Sequence, residues 1–139
     1  MITVRIKNRL RATVKFNTPI NIIGEDAMIS VVVTENILKC QPVTANGQLA
    51  DSANLFHKNK VVGLAMADIA ISTSGNVQTD GKMQNSSWSW TVGAMVYING
   101  QGILSQTPPA SPSSLWTQVI GIAYKTDTIE IEIADAYLF

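Results

Sequence analysis

The sequence predicts an all-β fold: a single-domain β-sandwich or barrel of short antiparallel strands, preceded by an N-terminal strand or arm. Short runs of β-branched and other apolar residues recur along the chain, and each is bounded by Gly, Pro, Asn, Asp or Ser. These turn signals follow one another at about eight to twelve residues, which is typical of sandwiches and barrels. Only residues 49–57 have loosely helical spacing, and they predict a short helical turn at best.

The first strand is predicted at residues 4–16, where side chains alternate with a period of two. Apolar residues fall on even positions and basic residues on odd ones, namely Arg5, Lys7, Arg9, Arg11 and Lys15. We therefore separate a basic strand or arm, residues 1–16, from a β domain, residues 17–139. The basic face is either solvated or docks on an acidic partner surface. Nucleic-acid binding is not expected, because the cations are few and no recognition loop accompanies them.

Short strands separated by polar turns are predicted between the arm and residue 87. The strands are 19–23, 28–33, 37–43, 60–67 and 77–79, of which 37–43 is interrupted by Pro42. The turns are 24–26, 34–36, Asn46–Gly47, Ser74–Gly75 and Asp80–Gly81. Gly63, inside the fourth of these strands, indicates a bend or the close approach of another backbone.

A hairpin is predicted at residues 94–106. Its arms are 94–98 and 103–106, and Asn99–Gly100 between them is the strongest short-range signal for a type I′ turn. The following segment, 107–114, contains three prolines and cannot lie inside a sheet, because proline removes backbone donors.

Two further strands are predicted, at 116–124 and 128–134. The first contains VIGIA at 119–123, which echoes VVGLA at 61–65, so the two strands are expected to be equivalent and are candidates to pair with each other. The second alternates isoleucine with glutamate, which places Glu130 and Glu132 together on an acidic face. The apolar C-terminus, 136–139, is expected to pack on the domain or on a neighbour.

The composition favours a protein that buries surface in an assembly. Hydrophobic residues make up 46% of the chain, charged residues only 14%, and the formal net charge is zero. A charge-poor, neutral monomer of this size would be poorly soluble. No signal peptide and no apolar run long enough to span a membrane are found in the sequence, so neither export by that route nor membrane insertion is expected.

No catalytic, metal-binding or cofactor-binding pattern is found in the sequence. His57 is the only histidine and is expected to be exposed in a loop, and Cys40, the only cysteine, is expected to be a small buried hydrophobe. The acidic residues are scattered, and neither a P-loop nor a GxGxxG motif occurs. We expect neither an enzyme nor a bound cofactor.

Three tryptophans leave a carbohydrate-binding alternative open. Trp88, Trp90 and Trp116 can stack on sugar rings, and Trp88 and Trp90 share a face if their segment is extended. The competing interpretation is that all three pack in the core or at an interface, where tryptophan is enriched.

A complementary charge pattern links the two ends of the chain. Arg5, Lys7 and Arg9 can pair with Glu130 and Glu132, across strands or between subunits. Each exposed pair contributes only about 0.2–1 kcal/mol, so such pairing would set register and partner choice more than stability.

A pattern of turn and strand residues covers roughly residues 40–133. It consists of Asn46-Gly47, Ala50-Asp51, Val61-Val62-Gly63-Leu64-Ala65, Val77-x-Thr79-x-Gly81, Trp88-x-Trp90-Thr91-x-Gly93, Val96-Tyr97-Ile98, Gly102-x-Leu104-x-Gln106-Thr107-x-Pro109 and Gln118-Val119-Ile120-Gly121-x-Ala123. This pattern resembles the small β domains of tailed-bacteriophage virion proteins, which occur in head decoration (cement) proteins, head fibres and some tail fibres. The basic residues 1–16 are not part of it.

The resemblance implies a non-enzymatic structural protein of the virion, assembled in the bacterial host cytoplasm as a homotrimer. A decoration protein that binds the major capsid protein or other virion proteins is the favoured function. The alternative is a tail-fibre or baseplate component, or a carbohydrate-binding receptor-recognition module. The expected partner-binding residues are Arg5, Lys7, Arg9, Arg11, Glu130, Glu132, Tyr137 and Phe139.

Overall fold

The computed structural model describes residues 27–139, and this part of the chain is all-β, as predicted. The predicted strands 4–16 and 19–23 and the turn at 24–26 lie outside the described residues. No α-helix occurs in residues 27–139. The one predicted helical turn, within 49–57, is a 3₁₀ turn at Leu55–His57.

Ten strands make up the described part of the chain. They are β1 (Ala27–Val32), β2 (Pro42–Thr44), β3 (Val61–Ala65), β4 (Ser74–Gln84), β5 (Met95–Ile98), β6 (Leu104–Ser105), β7 (Trp116–Thr117), β8 (Val119–Lys125), β9 (Thr128–Ile131) and β10 (Tyr137–Leu138). Eight of them form one antiparallel sheet in the order β2-β3-β4-β9-β8-β5-β6, with β1 paired to β4. This sheet curls into a nearly closed barrel, and β7 and β10 form a small second sheet.

Strand β4 joins the two halves of the barrel. Its first residues pair with β1 and β3, and the stretch from Gly81 to Gln84 pairs with β9. The turn predicted at Asp80–Gly81 is wrong, because the strand continues through it. Gly81 has a φ of 88°, which glycine adopts readily. This residue bends the continuous strand β4 where its partners change from β1 and β3 to β9.

Two other local predictions are wrong. Residues 37–43 do not form a strand: Ile37 makes an isolated bridge with Ile69, and Cys40 has a φ of 70°, which interrupts extended backbone. The strand begins instead at Pro42. The turn predicted at Ser74–Gly75 lies a little earlier, at Ser72 with a φ of 68°, and Ser74 already belongs to β4.

The predicted hairpin is confirmed, but its turn is wider than type I′. Strands β5 and β6 pair through Tyr97 with Ser105 and Ile98 with Leu104. Asn99 is extended at a φ of −108°, and the positive φ values fall on Gln101 and Gly102. Gly102 donates its backbone N–H to Ala50 and lies against Leu49, so a tertiary contact selects the wider loop.

The core that residues 27–139 form consists of two apolar clusters inside the curled sheet. The larger lies between β3, β5, β8 and β9, and the smaller lies under β1, β2 and the first half of β4. The predicted alternation in the last long strand is confirmed, since Ile129 and Ile131 are fully buried while Glu130 and Glu132 are exposed.

The two glycines of the VVGLA and VIGIA repeats have equivalent surroundings. A Cβ at Gly63 would lie 2.0 Å from the carbonyl oxygen of Gln78, and one at Gly121 would lie 2.3 Å from that of Glu130. The close backbone approach predicted at Gly63 is therefore confirmed. The two strands do not pair with each other, because β3 lies between β2 and β4 and β8 between β5 and β9.

Candidate interaction surfaces

His57 is buried, which corrects its predicted exposure. Its side chain is 6% exposed, and its Nδ1 accepts the backbone N–H of Asp51 at 3.1 Å. Its Nε2 lies 3.3 Å from the side-chain nitrogen of Asn54, so both ring nitrogens face groups of the same loop. Within residues 27–139, no group of three or more His, Cys, Asp or Glu side chains is placed to hold a metal ion. No helix of this part of the chain is long and apolar enough to cross a membrane.

Among residues 27–139, two pKa values are shifted, and both shifts have local structural causes. Burial raises the pKa of the Cys40 thiol, so this cysteine behaves as the small buried hydrophobe that was predicted. Hydrogen bonds from Gln84 and Thr128 lower the pKa of Asp127 in the turn between β8 and β9.

Large apolar side chains are exposed on three neighbouring segments. They lie on the 3₁₀ turn, beside β7 and on β10, and we call them the terminal apolar surface: Leu55, Phe56, Leu115, Leu138 and Phe139. Phe56 is the extreme case, with 85% of its surface exposed. Apolar side chains that are exposed on neighbouring segments are candidates for an interaction surface, because contiguous apolar patches mark such sites.

Backbone hydrogen bonds bring these segments together. Leu115 donates its N–H to the Ser52 carbonyl at 2.8 Å, and Phe139 donates to the Leu115 carbonyl at 3.2 Å. The indole Nε1 of Trp116 donates to the Asn54 carbonyl at 2.8 Å. The 3₁₀ turn, β7 and β10 therefore form one connected unit.

The local sequence explains why Phe56 points outwards. Asn54 caps the 3₁₀ turn, since its Oδ1 accepts the N–H of Phe56 at 2.9 Å. His57 is anchored inwards by its hydrogen bond to Asp51. With the cap on one side and the buried ring on the other, the side chain between them is directed to solvent.

A second surface combines apolar and charged side chains on the outer face of the barrel. Met95 on β5 pairs with Ile122 on β8, and Ile122 pairs with Glu130 on β9. Glu130 in turn pairs with Lys82 on β4. The Lys82 Nζ lies 4.3 Å from the centroid of the Tyr124 ring. Lys82 is a charged neighbour of Glu130 that the sequence pattern does not predict. The proximity of Lys82 to Glu130 depends on the register between β4 and β9, which follows from the tertiary fold.

The structure separates the predicted partner-binding residues into two groups. Arg5, Lys7, Arg9 and Arg11 lie outside the described residues, so their pairing with Glu130 and Glu132 stays a prediction. Both glutamates are exposed, as are Tyr137 and Phe139. Phe139 belongs to the terminal apolar surface, whereas Tyr137 lines a cleft beside it. Phe56, which that prediction missed, is more exposed than either aromatic residue.

The tryptophans do not form a common sugar-stacking face. Trp88 and Trp90 lie in the loop between β4 and β5, partly buried against the core, with ring centroids 5.6 Å apart and planes tilted by 48°. Trp116 is fully buried and offers no ring face to a ligand. For Trp116 the carbohydrate alternative is therefore wrong, since its ring fills the larger core cluster.

Trp116→Ala is expected to lower the free energy of unfolding by about 3–5 kcal/mol, because it empties the largest fully buried side-chain volume. It also leaves the Asn54 carbonyl without its indole donor. Urea denaturation followed by circular dichroism measures the loss. Trp88→Ala, which removes a partly exposed ring, is the matched control and should cost clearly less. Equal losses in the two variants would contradict the assigned burial.

Comparisons with family models, with curated proteins and with solved structures found no match for this chain.

Proposed function

We propose that this protein is a non-enzymatic structural component of a bacteriophage virion: a capsid decoration protein that binds the head shell as a homotrimer. The observation that carries the proposal is the terminal apolar surface on an all-β scaffold. The resemblance over residues 40–133 supplies the virion context, and the major capsid protein is the proposed shell partner.

The terminal apolar surface supports self-association. Burying apolar area contributes about 25 cal/mol per Å², and aromatic side chains are enriched among the residues that dominate interface energy. This free energy becomes available only when a partner buries Phe56, Phe139 and the leucines beside them. In a decoration protein, that partner is a second copy or the shell.

The composition supports the same function. With 14% charged residues and zero net charge, the chain has little electrostatic repulsion to keep copies apart. The hydrogen-bonded unit of the 3₁₀ turn, β7 and β10 presents the apolar side chains in a defined arrangement, so association would require little ordering of the backbone.

Light scattering of the purified full chain across a dilution series tests self-association. We expect a stable species of three times 15.0 kDa. A species that stays monomeric at every concentration would contradict an intrinsic homotrimer.

Quantitative mass spectrometry of virions from the encoding phage tests the location. A head decoration protein is expected in many copies, in fixed proportion to the major capsid protein. A few copies per particle would indicate a tail-fibre or baseplate component instead, and absence from the virion would overturn the proposal.

A further inference from the structure

The two Asn–Gly pairs of the chain have opposite surroundings. An asparagine followed by glycine can lose its side-chain amide without an enzyme, because the glycine nitrogen can attack the side-chain Cγ and no Cβ on the glycine hinders the approach. Asn46–Gly47 lies in the turn after β2, and Asn99–Gly100 lies between β5 and β6. Both pairs are followed by glutamine, so a difference in their reactivity must come from the fold.

The Asn46–Gly47 pair is protected, although Asn46 itself is exposed. Gly47 donates its N–H to the Thr44 carbonyl at 2.9 Å, and its own carbonyl accepts the N–H of Thr34 at 2.9 Å. Gly47 is buried, and a Cβ there would lie 2.1 Å from the Val32 carbonyl oxygen. The nitrogen that would have to attack is therefore engaged in a hydrogen bond and held in place by tight packing.

The nitrogen of Gly100 is not engaged in this way. Asn99 donates its N–H to the Ile103 carbonyl at 2.7 Å. The N–H of Gly100, by contrast, makes no hydrogen bond within residues 27–139. A Cβ added to Gly100 would meet no atom closer than the Asp51 carboxylate at 3.4 Å, so there is room around this residue. The Gly100 nitrogen can therefore move without the loss of a hydrogen bond.

The conformation of Asn99 favours the attack. Its ψ of −170° is rotated by about 55° from the value of a typical antiparallel strand. This rotation brings the Gly100 nitrogen towards the side of the backbone that carries the Asn99 Cβ. The Asn99 side chain does not cap the following turn, and its Oδ1 accepts no hydrogen bond from the described residues. No such bond therefore has to break before the Cγ approaches the nitrogen.

We propose that Asn99 is a site of spontaneous deamidation in the folded protein and that the fold protects Asn46. The Gly100 nitrogen forms a bond to the Asn99 Cγ and loses its proton, while the bond from Cγ to the side-chain nitrogen breaks and ammonia leaves. Water then opens the succinimide ring at either carbonyl, which gives aspartate or isoaspartate. Water is the only co-reactant, and Gln101 beside the pair is exposed to it. This inference does not depend on the structural function proposed above.

Either product changes the hairpin of β5 and β6. Aspartate and isoaspartate each add a negative charge to a chain whose formal net charge is zero. Isoaspartate also inserts a methylene group into the backbone. Asn99 donates its N–H to the Ile103 carbonyl at 2.7 Å, and its carbonyl accepts the N–H of Ser52 at 3.5 Å. The inserted group would alter the spacing of these two hydrogen-bonding groups.

The test follows the loss of both amides in one sample. The purified full chain is incubated in mildly alkaline buffer and quenched with acid at intervals, and peptide mapping by mass spectrometry gives the converted fraction at each asparagine. In the folded chain, Asn99 should react at least about tenfold faster than Asn46, because a hydrogen bond and tight packing must first be disrupted at Gly47. Isoaspartate among the products is expected, whereas aspartate alone would overturn the ring-closure step.

Two controls assign the difference to the fold. In guanidinium chloride, where the chain is unfolded, both Asn–Gly–Gln sequences should react at similar rates. Gly100→Ala should keep the fold, since its Cβ meets nothing closer than 3.4 Å, and should slow the reaction at Asn99 by about tenfold or more while Asn46 is unaffected. Equal rates at the two sites of the folded chain, a faster reaction at Asn46, or an undiminished preference for Asn99 in the unfolded chain would each overturn the proposal. An unchanged rate in Gly100→Ala would do the same.

Discussion

The double variant Phe56→Asp/Phe139→Asp is expected to be monomeric at concentrations where the parent chain is a trimer. Each phenylalanine contributes about 1.5–3 kcal/mol when it is buried at an interface. Removing both costs at least about 3 kcal/mol, and each new carboxylate must in addition be desolvated. Since about 1.4 kcal/mol is tenfold, the association constant should fall by more than about a hundredfold. Sedimentation equilibrium over a dilution series measures this directly.

The fold of this variant should be intact, because both phenylalanines are exposed in the single chain. Its thermal unfolding should therefore match that of the parent chain measured as a monomer. Val92→Asp/Ile71→Asp is the matched control: it introduces the same two charges at exposed apolar positions outside the terminal apolar surface. If the control dissociates while Phe56→Asp/Phe139→Asp stays trimeric, the interface lies on another face.

Gly63→Ala is expected to destabilise the protein by about 3–5 kcal/mol or to prevent folding. Its new Cβ would lie 2.0 Å from the Gln78 carbonyl oxygen and 2.8 Å from the carbonyl carbon, so the backbone of β4 must move. Leu64 and Gln78 are paired in the ladder at this point, and the shift would break pairing in the middle of the sheet. A loss of this size is a large part of the total stability of a small domain. Urea denaturation gives the free energy of unfolding.

Two other glycines make this a controlled comparison. Gly121→Ala should behave like Gly63→Ala, because its Cβ would lie 2.3 Å from the Glu130 carbonyl oxygen. At Gly100 the nearest atom to an added Cβ is the Asp51 carboxylate at 3.4 Å, so Gly100→Ala should change stability by less than about 1 kcal/mol. A wild-type denaturation midpoint for Gly63→Ala would show that β3 and β4 are not so closely packed.

Several features could be predicted from the sequence because they depend on neighbours in the chain. The Asn46–Gly47 turn is confirmed, with a φ of 81° at Gly47. The isoleucine–glutamate alternation placed Ile129 and Ile131 in the core and Glu130 on the surface. Such signals are local: a turn needs a residue that tolerates positive φ, and a half-buried strand needs a period of two.

The candidate surfaces could be predicted only in part. The cost of an apolar C-terminus in water predicts partner contacts for Tyr137 and Phe139, and both are exposed in the single chain. Phe56 was missed, since its exposure follows from the inward hydrogen bond of His57 to Asp51. The cleft was missed as well, because Asn59, Gln118 and Asp135 lie far apart in the chain and meet only through the packing of three strands.

The sequence by itself determined the all-β class, the hairpin at 94–106 and the glycine of close approach in β3, since local propensity and side-chain period suffice for each. Tertiary structure alone decided that Gly81 bends a continuous strand, that Trp116 and His57 are buried, and that Phe56 and Phe139 lie on neighbouring segments. Burial and proximity depend on which strands pair. Strand pairing is set by contacts between residues distant in sequence, and no short stretch of the chain contains that information.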